Sequence, residues 1–309
     1  MPAKPTVGGQ AVIEGVMIRS PHAWSVAVRR PDGVIETRSD PLPRLSARSR
    51  WARIPFVRGV LVLGESLSLG FRSLAWSAQK AAGETEEELT KRDFALAMGM
   101  ALVFFVGVFL LLPLGGAKLA ERWLGKSPVV FNLAEAVIRV GILVGYIALI
   151  GRMRDIRRVF EYHGAEHMSI HAYEAGDPLS VEAVTRYPTM HPRCGTSFLL
   201  IVMLLAVVVF SLVGLARPSW QWLILSRIVL IPVIAGIAYE LLKASAEKQW
   251  LRVLAVPGIQ LQRLTTKPPA ADQVEVAIAS LLAALSPENL EEVKARGPVC
   301  PPALAALPA

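Results

Sequence analysis

The chain has 309 residues, 53% of them hydrophobic, and a formal net charge of +8; its mean hydropathy of +0.45 is too high for an ordinary soluble enzyme. Two cysteines are too few for a disulfide framework and fit a reducing compartment. In a soluble protein the positive charge would suggest nucleic acid, but its distribution here matches a membrane topology better.

From the N-terminus, residues 1–58 read as a small cytoplasmic β-module. Ala11-Val-Ile-Glu-Gly-Val-Met-Ile-Arg19 reads as a strand, and 24–36 as a hairpin turned at Pro31-Asp32-Gly33. Gly8, Gly9 and Gly15 complete neither a G-x-G-x-x-G nor a Walker pattern, which leaves turn and close-packing glycines as their reading. After the basic run 44–58, residues 59–93 form an interfacial helix and linker. Glu65 and Arg72 interrupt its apolar side chains, so it lies on or dips into the interface without spanning. Residues 84–88 are a solvated acidic stretch.

Four stretches, 94–114, 129–150, 197–215 and 222–242, each approach the ~20 residues needed to cross a bilayer. The second carries Glu135 and Arg139 at i, i+4, placed to pair near one end, and the fourth carries Arg227; a structural ion pair or interfacial snorkelling is the ordinary account, an ion pathway the alternative. Lys and Arg concentrate in 1–93, 151–196 and 243–267, whereas the other loops hold Lys118, Arg122, Lys126 and Arg217. The positive-inside rule therefore puts both termini and segment 151–196 in the cytoplasm, in a bacterial inner membrane. The first 90 residues lack the cleavable apolar core of a signal peptide. In 243–309, Pro257-Gly258 breaks the chain, 273–285 has the spacing of an amphipathic helix able to dock on the β-module or the membrane, and the Pro- and Ala-rich tail reads as disordered. The expected fold is a mainly α-helical polytopic membrane protein of about four transmembrane helices, with a small N-terminal β-module and a C-terminal amphipathic helix.

The chemistry concentrates in 151–196. His163-Gly-Ala-Glu-His167 reads H-x-x-E-H, which puts two imidazoles on one helix face about 6 Å apart along the axis, within reach of one divalent metal, with zinc expected by analogy with inverzincin peptidases. There the two histidines are ligands and the glutamate, here Glu166, is the base. His171 and Glu174 continue the stripe, but one ion cannot take all of it, so a third ligand comes from elsewhere, with His191 or Cys194 of His191-Pro-Arg-Cys194 the economical choice. The plainer account is a hydrogen-bonded polar face at the membrane surface.

Five words in order, Gly8-Gly-Gln-Ala-Val-Ile-Glu-Gly-Val-Met17, Tyr162-His-Gly-Ala-Glu-His167, Ala172-Tyr-Glu174, His191-Pro-Arg-Cys-Gly-Thr-Ser197 and Pro257-Gly-Ile-Gln-Leu-Gln-Arg-Leu-Thr265, resemble the YqhQ-like bacterial membrane family, domain of unknown function 1385. The resemblance implies a metal-dependent membrane enzyme and supplies no substrate. Its motif falls on His163, Glu166, His167, Glu174, His191 and Cys194; Met168 stands where the family pattern often has lysine, and His171 where it is not usually histidine.

Three functions compete. In a metal-dependent hydrolase at the cytoplasmic face, His163, His167 and His191 hold the ion, Glu166 takes a proton from water, and Arg193 holds an anionic group of a lipid, peptide or nucleotide substrate. In a non-catalytic adaptor the cluster, with Cys194 as a fourth ligand, clamps the segment while the basic module docks an acidic partner such as RNA, the ribosome or anionic membrane lipid. A transporter would use the cluster as an ion site, but four spans are few for that role.

Overall fold

The computed structural model describes residues 7–42, 54, 57–83, 91–125, 127–215, 219–247 and 256–307. Most of the basic run 44–58 and the acidic stretch 84–88 lie outside them. Strands β1 (Gly8–Val12), β2 (Gly15–Arg19), β3 (Ala23–Arg29) and β4 (Ile35–Pro41) form one antiparallel sheet in sequence order. The stretch expected to be a single strand is folded back on itself: Val12 pairs with Gly15 across a two-residue turn. Glu14, the second residue of that turn, has φ 51°, the left-handed conformation that the third position of a type II turn takes. The turn expected at 31–33 is present, with Gly33 at φ 85°.

Alternation along the strands gives the sheet two buried faces. Met17, Trp24, Val26 and Val28 face helix α1 (Val57–Ala82), against Leu69 and Trp76. Val16, Ile18, Ala27 and Ile35 face the other core. The helix expected to lie on the interface is thus a bridge. Its first turns pack on a membrane span, Gly59 against Gly236 and Tyr239, with Arg58 bound to Glu240 at 2.6 Å, and its remainder covers the sheet.

Helix α2 (Lys91–Phe105) passes through a π-helical turn, Val106–Leu111, into α3 (Leu112–Leu124). Pro113 explains the irregularity, since it lacks an N–H and its ring displaces the carbonyl one turn before it. Next come α4 (Pro128–Ile150), α5 (Arg154–Ala175), the single turn α6 (Val181–Val184), α7 (Gly195–Leu215) and α8 (Trp220–Glu247). Among the described residues, four helices are long and apolar enough to cross a membrane: Ala95–Leu124, Pro128–Ile150, Gly195–Gly214 and Gln221–Leu242. This is a membrane protein, mainly helical, with a small β-module at one end of the bundle. The first span is longer than expected, because Lys118 and Arg122 sit on the helix itself.

Between the spans, Glu135 is bound by Arg139 on its own helix and by Arg227 of α8 at 2.6 Å. Phe210 of α7 lies under the Arg227 guanidinium, 4.6 Å from ring centroid to carbon, so a three-residue ionic group joins two spans and rests on an aromatic ring of a third. It lies among the packed helices, where the sequence suggested a pair near one end.

Within segment 151–196, His163, Glu166 and His167 lie on the helix α5, as their spacing predicted. After α8 come α9 (Val256–Thr265), α10 (Ala271–Ala283), α11 (Pro287–Ala295) and α12 (Pro301–Ala305). The amphipathic helix docks on the sheet: α10 is held by Ser25 Oγ donating to the Ser280 carbonyl at 2.6 Å. The tail expected to be disordered is folded through Leu307, because Val293, Cys300 and Ala303 bury themselves against the same core as α10.

Candidate metal centre

Helix α5 leaves the membrane end of α4 and stops at Gly176, whose φ of 88° makes the left-handed cap that only glycine adopts without strain. His163, Glu166 and His167 fall on one stripe of it. Two close approaches fix its depth. A side chain on Gly164 would overlap the Lys267 carbonyl, and one on Gly9 of β1 would meet Glu166 Oε1 at 3.1 Å. Of the glycines read as turn and close-packing residues, Gly9 and Gly15 are closely packed and Gly8 meets nothing within 4 Å; Gly9 also donates its N–H to the Glu166 carboxyl.

The imidazoles are oriented by backbone carbonyls. His163 Nδ1 lies 2.9 Å from the Thr265 carbonyl and His167 Nδ1 2.6 Å from that of Thr189. A carbonyl only accepts, so each Nδ1 carries the hydrogen and each Nε2 keeps its lone pair. His163 Nε2 is 3.2 Å from Cys194 Sγ. One donor atom from each of His163, His167 and Cys194 lies within 4.8 Å of the other two. A tetrahedral zinc site needs donors about 3.3–3.6 Å apart. His167 Nε2 and Glu166 Oε2 are fully buried and have no hydrogen-bond partner among the described residues. Orphaned acceptors of this kind are what a cation would satisfy.

The other expected ligands form a separate group. His191 Nδ1 accepts from the Arg193 N–H at 3.2 Å, which leaves its Nε2–H turned to Glu174 at 3.6 Å. Glu174 is ion-paired with Arg193, so Arg193 is already engaged by a carboxylate. The His191 ring lies 5.6 Å from that of His167. His171 stacks on Tyr187 and bonds the Met190 carbonyl through Nε2 at 3.0 Å. Of the two third ligands the spacing left open, Cys194 is the one brought to His163 and His167.

The sequence reading passed over the supports. Gln262, fully buried, clamps the His191 peptide with two bonds, accepting at 2.8 Å and donating at 2.9 Å. Thr265 and Gly9 hold His163 and Glu166. All three lie in words that carried the family resemblance, and that was the available signal.

Burial pushes His167 down to about 2 and His191 down to about 4, so both are neutral at physiological pH, as metal ligation requires. Burial also raises the Cys194 thiol, against hydrogen bonds from Thr196. Glu166 is pushed up to about 8 by burial, with Cys194 adding to the shift while His163 and the Gly9 N–H oppose it.

Two predictions follow from this geometry. In chelator-treated protein, Glu166 keeps a proton that the unfolded chain releases above its ordinary value of 4.5, so stability contributed by the protonated carboxyl falls as pH rises from there to about 8. Melting temperatures of wild type and Glu166→Gln over that window should converge toward low pH and separate toward high pH, with wild type the loser; parallel curves would refute it. Gly164→Ala should cost about 1–3 kcal/mol by forcing α5 off the chain at Lys267, measured as a lowered denaturation midpoint, and an unchanged midpoint would contradict the close packing.

The family model described as "Protein of unknown function (DUF1385)" matches residues 54–287, which include His163, His167 and Cys194. The uncharacterized protein YqhQ of Bacillus subtilis (strain 168) is 35% identical over 304 residues, covering 93% of this chain and 95% of that protein. No solved structure matches.

Proposed function

The chain belongs to the DUF1385 family, and from the convergence of two carbonyl-oriented imidazoles and a thiol on an orphaned buried glutamate we propose that it is a metal-dependent hydrolase at the membrane face. His163 Nε2, His167 Nε2 and Cys194 Sγ would hold a divalent ion, zinc by the chemistry of the set. Such an ion supplies Lewis acidity, which acidifies water and polarises a carbonyl or phosphoryl oxygen. Glu166 ionises in the field of a neighbouring cation. Held at Oε1 by the Gly9 side of the site and open at Oε2, it accepts the proton of the attacking water and passes it to the leaving group. The surrounding burial keeps bulk water from competing for that proton.

The location supports a lipid or other membrane-held substrate. Cys194 immediately precedes the span Gly195–Gly214, and Leu261 and Leu264 beside the site pack on Leu143, Ile147 and Met203 of the spans. Three protein ligands leave a fourth position, as catalytic sites do. The adaptor reading is favoured by one observation: the three ligands come from two elements, α5 and the start of α7, which an ion would staple together.

Elemental analysis of purified protein tests the site. Wild type should carry about one ion per chain, and His163→Ala combined with His167→Ala should carry none; full occupancy in the double variant would sink it. We further place both termini and α5 in the cytoplasm of a cell with this protein in its inner membrane, from the basic bias of the segments at that end. Reporter fusions after Lys126, Tyr173 and Lys267 should report only the first as exported. An exported signal at Tyr173 would overturn this orientation.

A further inference from the structure

On the face of the sheet turned away from α5 and α10, the distal part of α1 crosses β3 and β4. Arg72, Ala75, Trp76 and Gln79 recur at i, i+3, i+4 and i+7, so they share one helix face. That face meets Trp24, Arg38 and Asp40 around a cavity of about 510 Å³, within the ~300–1,000 Å³ of small-molecule sites.

The lining chemistry is specific. Trp24 is nearly buried and anchored in the core beneath, with Arg38 above its ring at 5.9 Å. Arg38 is bound to Asp40 at 2.7 Å, which stiffens that wall. Trp76 is half-buried, and Lys80 lies over its ring at 5.8 Å while bound to Glu36 at 2.6 Å. Arg72 is exposed and makes no ion pair or hydrogen bond among the described residues. The half-buried Trp76 indole offers apolar surface, Trp24 closes the floor beneath Arg38, the Arg72 guanidinium is unengaged among the described residues, and the Asp40 carboxylate and Gln79 carboxamide complete the lining.

We propose that this cavity is a binding site for a nucleoside phosphate. Trp76 supplies a stacking face for the base, a contact every base can make. Asp40 accepts, and Gln79 donates or accepts, at the polar edge of that base. Arg72 takes the phosphate, for which its planar fork is suited. A bare anion would leave the Trp76 indole without a role, and a neutral planar ligand would leave Arg72 without one. The site is independent of the metal centre, which lies on the opposite face of the sheet.

The test uses full-length protein in detergent and mant-labelled ADP, with energy transfer from tryptophan to the mant group as the signal. Unlabelled ADP should displace the probe. Arg72→Ala should weaken binding by about tenfold through loss of a charge-assisted bond, and Trp76→Ala by about tenfold through loss of stacking, while Trp76→Phe should recover most of it. The His163→Ala, His167→Ala double variant should bind as wild type does, so failure of the metal reading leaves this result standing. Any of four outcomes overturns the proposal: ADP fails to displace the probe; inorganic phosphate or ribose 5-phosphate displaces it as well as ADP does; phosphatidylglycerol vesicles do so; or Arg72→Ala binds unchanged. Since Arg72 is exposed, its replacement leaves the core intact and the comparison readable.

Discussion

Glu166→Gln should keep its metal and lose its function. The amide preserves shape and leaves His163, His167 and Cys194 untouched, but it cannot accept the proton that a hydrolase must remove from water, a role typically worth 10²–10⁴-fold in rate. The structure sharpens this expectation. Oε2 has no hydrogen-bond partner among the described residues, so the substitution breaks no bond on that side. With the substrate unidentified, the readouts are metal content and thermal stability of the purified variant beside complementation of a deletion strain. If Glu166 instead only orients the site, metal affinity should fall by about 10–100-fold. Retained metal with full complementation would end the catalytic reading and leave the metal-stapled adaptor.

Glu135→Ala should be among the most destabilising single changes in the membrane domain, by about 3–5 kcal/mol. The carboxylate sits between two guanidiniums, and Arg227 is fully buried. Its removal strands both cations among apolar helices, where an unpaired charge is most costly. Replacing Glu135, Arg139 and Arg227 together by Leu, Leu and Met removes the whole group at similar volume and should be neutral or stabilising by about 1–4 kcal/mol. Denaturation midpoints in detergent would decide it. A Glu135→Ala protein as stable as wild type would show that the ionic group does not hold these two spans together.

The site divides sharply between what could be read along the chain and what could not. His163, Glu166 and His167 were legible because helical spacing is a local property, and any helix puts i, i+3 and i+4 on one face. Cys194 could be named only as one of two candidates, since its choice over His191 depends on how the turn before α7 is held. Gln262 holds it, from 68 residues or more away in sequence. Nothing local links Gly9 to Glu166 or Thr265 to His163. The C-terminal tail was misjudged for the same reason: its composition resembles disorder, but Val293, Cys300 and Ala303 are covered by a core that other segments build.

By itself the sequence determined the number of spans, the presence of a strand module before them and the stripe that carries His163, Glu166 and His167, because length, hydropathy and periodicity act within one segment. Only the tertiary structure decided that Glu135 joins two arginines on two helices, that β1 closes over the glutamate, and which imidazole nitrogens are free. Each of these depends on a pairing between distant segments, and such pairings are set by packing and by the need of every buried polar group for a partner.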